Sequence, residues 1–173
     1  CSQLQKLMLA GNRLQALPQE LSACTRLELL RIAANRFDEL PQWLFKLPRL
    51  SWLAYAGNPH GETVELNALA QNPIADIPWQ QLELQHKLGE GASGFIHQAE
   101  WQYAPAGKTA VAVKLFKGAL TSDGLPHSEM AACINAGLHP NLIGVHGKIH
   151  QHPSAATGLV MSLIDPAFHN LSH

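Results

Sequence analysis

Apolar residues recur along the first third of the chain with a fixed step. Leu4, Leu7, Leu9, Leu14 and Leu17 are followed 23 residues later by Leu27, Leu30, Ile32, Phe37 and Leu40, and then by Leu50, Leu53 and Tyr55. An asparagine keeps the same step at Asn12, Asn35 and Asn58. Self-similarity of this kind predicts a repeat architecture, in which each coil buries its apolar face only against the next. Lys6 and Met8, or Glu28 and Arg31, flank the apolar positions of a short strand. The pattern stops after Asn58. Asn58-Pro59, Asn72-Pro73 and Ile77-Pro78 interrupt the chain, and residues 59–78 show no clear period. They predict an ordered connector, with a domain boundary near residues 60–76. Alternation of period two then begins. Leu82 to Leu88 predicts one strand, Phe95 to Trp101 a second, and Thr109 to Lys114 a third. Gly89, Gly91 and Gly94 separate the first from the second. Ser122 to Ala136 has helical spacing and carries Glu129.

The repeating segment, LxxLxLxxNxLxxLPxxL, resembles the leucine-rich repeat over residues 1–58, about a third of the chain. That resemblance implies an α/β solenoid of stacked parallel strands that presents a surface to a protein partner. Trp52 is a candidate partner contact or a packing residue at the end of the array, and Trp43 is a packing residue. Cys1-Ser-Gln-Leu4 aligns with Cys24-Thr-Arg-Leu27, so further repeats are expected before Cys1.

The glycine segment carries the chemistry. A strand, a glycine turn, a strand and a lysine near the far end make a hairpin suited to covering a polyphosphate. Glycine lets backbone approach phosphate oxygens, and the loop amides can donate to them. Leu88-Gly89-Glu90-Gly91-Ala92-Ser93-Gly94-Phe95-Ile96 resembles the glycine-rich loop of protein kinases, with isoleucine in the place of valine, and Val111-Ala112-Val113-Lys114 resembles their lysine strand. In dinucleotide folds the glycines open a helix instead. Leu138-His139-Pro140-Asn141-Leu142-Ile143 resembles the segment that leads into the fourth strand, and Gly158 to Ile164 resembles the fifth strand and hinge.

Over residues 79–173 the resemblance implies an α+β protein-kinase-like N-lobe, an antiparallel five-stranded sheet plus one helix, ending before the C-lobe. It implies ATP as ligand. Lys114 would hold the phosphates and Glu129 would orient it; these are the catalytic candidates. Glu129 lies ten residues before His139, one more than usual, and Met130 occupies the position that counting selects. Leu88, Gly89, Glu90, Gly91, Ala92, Ser93, Gly94, Ile96, Ala112, Lys114, Met161 and Leu163 would line the nucleotide site, with Met161 as gatekeeper and Leu163 near the hinge. Mg2+ is expected for the intact kinase, but the HRD and DFG motifs that would hold it and activate the acceptor do not occur. The implied parent transfers phosphate from ATP to protein Ser/Thr, while this chain alone is expected to be inactive. The alternative is a non-catalytic scaffold carrying a kinase-like fold.

Composition narrows little further. Net charge is −1 and 14% of residues are charged, which suggests neither nucleic-acid nor membrane-surface binding. Three widely spaced cysteines point to a reduced, cytoplasmic setting. No apolar run is long enough for a membrane span, and no signal peptide is visible. His146, His150 and His152 lack neighbouring cysteine or carboxylate at ligand spacing and predict a loop.

Overall fold

A computed structural model describes residues 1–71, 73–103, 107–118, 120, 124–137, 139–165 and 167–168; for residues 63, 64, 68 and 69 it describes the backbone alone. Leu138 and residues 122–123 of the predicted helix lie outside the described residues. Contacts divide the chain into two units, Cys1–Gln71 with Gly118–Ala131, and Asn72–Lys117 with Ala132–His173.

In the first unit three short strands, β1 (Lys6–Met8), β2 (Leu29–Arg31) and β3 (Trp52–Ala54), pair in parallel. Leu7 stands opposite Leu30 and Leu30 opposite Leu53, so the register is the repeat step itself. Between strands the chain returns through single 3-10 segments, Gln19–Ala23 and Gln42–Lys46. Pro18 and Pro41 enter them in extended conformation, a geometry that the proline ring fixes in advance. Leu27, Leu30, Ile32, Phe37 and Leu44 are buried completely between the coils, with Cys24 among them as a free thiol. Each such apolar side chain stabilises the unit by about 1.5–3 kcal/mol.

Asparagines tie the coils together. The Asn58 Oδ1 accepts from the amides of Asn35 and Phe37, both at 3.1 Å, while its Nδ2 donates to the carbonyls of Ile32 (3.0 Å) and Tyr55 (2.6 Å). Asn35 repeats the arrangement one coil earlier, accepting from Leu14 N at 3.0 Å and donating to Leu9 O at 2.8 Å. Positions that lack regular strand pairing thereby satisfy their backbone groups.

The connector is more regular than its sequence suggests. It forms a helix, α1 (Pro59–Gln71), and a strand, β4 (Ala75–Pro78). Pro59 suits the first helical position because its missing N–H has no partner there anyway. Within this unit the Ser128 hydroxyl donates to the Glu65 carboxylate at 2.8 Å.

The second unit is built on a six-stranded sheet in the order β4-β8-β9-β7-β6-β5. Its other strands are β5 (Leu82–Glu90), β6 (Gly94–Tyr103), β7 (Gly107–Phe116), β8 (Val145–His150) and β9 (Gly158–Ser162). The expected five-stranded antiparallel sheet is corrected: β4 adds a sixth strand, parallel to β8, and the sheet is mixed. The prolines around Ala75–Pro78 hid this strand in the sequence, yet an edge strand tolerates proline. One face of the sheet buries Ile77, Leu82, Ala99, Val111, Val113 and Val160, with Trp79, Leu84, Trp101, Leu115 and Ile149 packed around them.

Between β7 and β8 runs α2 (Pro126–Asn135). Proline opens it, and Gly137, at φ 66°, follows its end in the left-handed conformation that commonly stops a helix. Among the described residues no helix is long and apolar enough to cross a membrane.

Candidate nucleotide site

The predicted site residues are positioned by strand register. Strands β5 and β6 form a hairpin whose turn is Gly91–Ser93, closed by the Gly91 amide donating to Gly94 O at 2.9 Å. Gly89 pairs with Ile96, Ile96 with Lys114, and Lys114 with Leu159. Two residues further along, Gln98 pairs with Ala112 and Ala112 with Met161. Directly opposed residues share a face, and so do residues two apart along a strand. Ile96, Ala112, Lys114 and Met161 therefore stand on one face, opposite the apolar core of Val111, Val113 and Val160.

Lys114 is half-buried, with its Nζ 5.4 Å from the centre of the Phe116 ring. Leu88 sits at an irregularity between Lys87 and Gly89, where β5 carries one residue more than its partner, and it is exposed. Leu163 follows β9 and is half-buried. Glu129 lies in the first turn of α2, among residues whose contacts group with the repeats.

The three glycines are not equivalent. A Cβ on Gly94 would meet the Leu115 carbonyl oxygen at 2.3 Å, so the neighbouring strand requires glycine there. A Cβ on Gly89 or Gly91 would meet nothing within 4 Å, and neither residue has a positive φ. Packing within the protein does not require glycine at those two positions; room for an incoming ligand would.

Glu90 faces the other way. It pairs with Phe95, which pairs with Leu115 on the face of the apolar core. Its carboxylate accepts from Lys117 and, at 3.0 Å, from Lys87. Hydrogen bonding from Lys117 first, and from Lys87 second, holds the Glu90 carboxyl below the usual carboxylate range. A lowered folded value means that this contribution is present above the ordinary carboxylate pKa and is lost as pH falls through the folded value. Sequence spacing missed Lys117. The signal was parity: two positions after Leu115, it continues the Phe95 side of the sheet rather than the Lys114 side.

The leucine rich repeat profile matches residues 2–59. Residues 2–59 thus match the leucine-rich repeat by sequence, and their strand register and asparagine bonding follow the same 23-residue step. A stretch of 79 residues is 28% identical to the serine/threonine-protein kinase CTR1 of Arabidopsis thaliana. That stretch is 46% of this chain and 9% of the plant protein. The chain thus spans a small part of the relative it matches, and the likeness to a kinase is partial. Among the described residues no group of three or more His, Cys, Asp or Glu side chains is placed to hold a metal ion.

Proposed function

We propose that this chain carries the ATP-binding portion of a leucine-rich-repeat protein kinase, with the repeats recruiting a protein partner. In the intact parent the reaction would be phosphate transfer from ATP to protein Ser/Thr. The partial likeness to a serine/threonine kinase supports that class.

The observation that carries the reading is the pair of sterically free glycines, of which Gly89 stands in one row with Ile96 and Lys114. Gly89 and Gly91 leave backbone open to a phosphate chain. Ile96, Ala112 and Met161 would form an apolar wall for a base, with Lys114, which shares their face, at its end. Lys114 would act as a point charge on the phosphates, and the proposal gives Glu129 the task of orienting it. The Leu163 backbone would bond the adenine edge.

Titrating a fluorescent ATP analogue into the 173-residue chain tests this. Wild-type protein should bind saturably, and Lys114→Met should bind about tenfold more weakly, the loss of one charge-assisted contact. Equal affinity for the two proteins would exclude Lys114 from the site. No binding by either would favour the non-catalytic scaffold.

A further inference from the structure

We propose that Lys117 is a positioning residue for the glycine turn, braced from the far side of the hairpin by Glu90 and Phe95. Its role in nucleotide binding rests on the ATP reading above; its role in the turn does not.

Three elements converge on this lysine. Its backbone amide donates to Ser93 O at 2.9 Å, and its Nζ donates to Gly91 O at 3.3 Å. The same ammonium is ion-paired with Glu90 and lies 4.3 Å from the centre of the Phe95 ring. Lys87 approaches the assembly from β5, 3.0 Å from Glu90 and 5.9 Å from the Phe95 ring. One residue therefore grips both ends of the turn and the strands on either side of it.

Peptide geometry turns that grip into function. In a trans peptide the carbonyl of one residue and the amide of the next point in opposite directions. With the Gly91 and Ser93 carbonyls drawn to Lys117, the amides of Ala92 and Gly94 are turned away from it. Those amides lie in the turn and at the first residue after it, the stretch that the ATP reading assigns to phosphate. Lys117 also stands on the Phe95 side of the sheet, whereas Lys114, opposite Ile96, stands on the other. The two lysines do different work: one would meet phosphate, and the other fixes the backbone that meets it. Without the brace, Gly91–Ser93 would sample more conformations, and an anion would have to order it on binding.

The test compares wild type, Lys117→Met and Lys117→Arg in the 173-residue chain by amide hydrogen exchange and by fluorescent ATP analogue titration. Lys117→Met should speed exchange of the Gly91 amide about fivefold, the worth of exposed ion pairs and a cation–π contact together. Analogue affinity should fall by a similar factor. Lys117→Arg keeps the charge and stacks on Phe95, so it should behave as wild type in both measurements. Unchanged Gly91 exchange in Lys117→Met, or an arginine variant as impaired as the methionine one, would overturn the brace. Faster exchange in a chain that binds no nucleotide at all would retain the brace and refute the ATP reading.

Discussion

Asn58→Ala should destabilise the repeat unit by about 3–5 kcal/mol, enough to unfold a marginal domain. Asn58 is 1% exposed. Its side-chain oxygen is the acceptor for the Asn35 and Phe37 amides, and its nitrogen donates to the Ile32 and Tyr55 carbonyls. Alanine fills part of the space and replaces none of these bonds. A buried donor left without an acceptor costs about 1–3 kcal/mol, and two are left here. Asn12 supplies the control. It occupies the same repeat position but is exposed, and it donates to Leu9 O at 2.9 Å within its own coil. Asn12→Ala should therefore cost less than about 1 kcal/mol. Urea denaturation followed by tryptophan fluorescence would measure both, since Trp43 packs against the repeat core. Losses of equal size would show that the asparagine bonds between coils are not what holds the array.

The repeat was the most legible part of the sequence. A step of 23 residues fixes both which side chains are buried and which strands pair, so Leu7, Leu30 and Leu53 fall into line from spacing alone. The β5–β6 hairpin and the β7 lysine were legible for the same reason, because period two assigns faces. What spacing does not reveal is pairing across an edge. Ala75–Pro78 is too short and too rich in breakers to announce a strand, and it exists because β8 offers an unpaired edge beside it. Nor does spacing reveal the two extra residues in β5, one between Leu84 and Lys87 and one between Lys87 and Gly89. The irregularity between Lys87 and Gly89 lets neighbouring Gly89 and Glu90 pair with neighbouring Ile96 and Phe95, while Lys87 and Glu90 both meet Phe95. Glu90 falls among the nucleotide candidates through the resemblance of Leu88 to Ile96 to a glycine-rich loop. The register turns its carboxylate toward Lys117 on the opposite face.

Substituting the loop glycines one at a time should separate structure from binding. Gly94→Ala should lower the stability of the sheet unit by about 3 kcal/mol or more. Its Cβ would lie 2.3 Å from the Leu115 carbonyl oxygen and 3.3 Å from the Phe116 Cα, and both are backbone atoms of a paired strand that cannot rotate aside. Relief would require β6 and β7 to separate where Gly94 pairs with Phe116. Gly91→Ala should leave stability within about 1 kcal/mol of wild type, because its Cβ would enter open space and stiffen the unfolded chain. If the loop covers phosphate, that same Cβ intrudes where the ligand approaches, and ATP-analogue affinity should fall about tenfold. Thermal melts and analogue titration of the two variants give four outcomes to compare. A stable Gly91→Ala protein with reduced affinity would mark the turn as a ligand-binding loop. A stable one with wild-type affinity would make the turn merely a turn, and Lys114 would lose the neighbour on which its phosphate role depends.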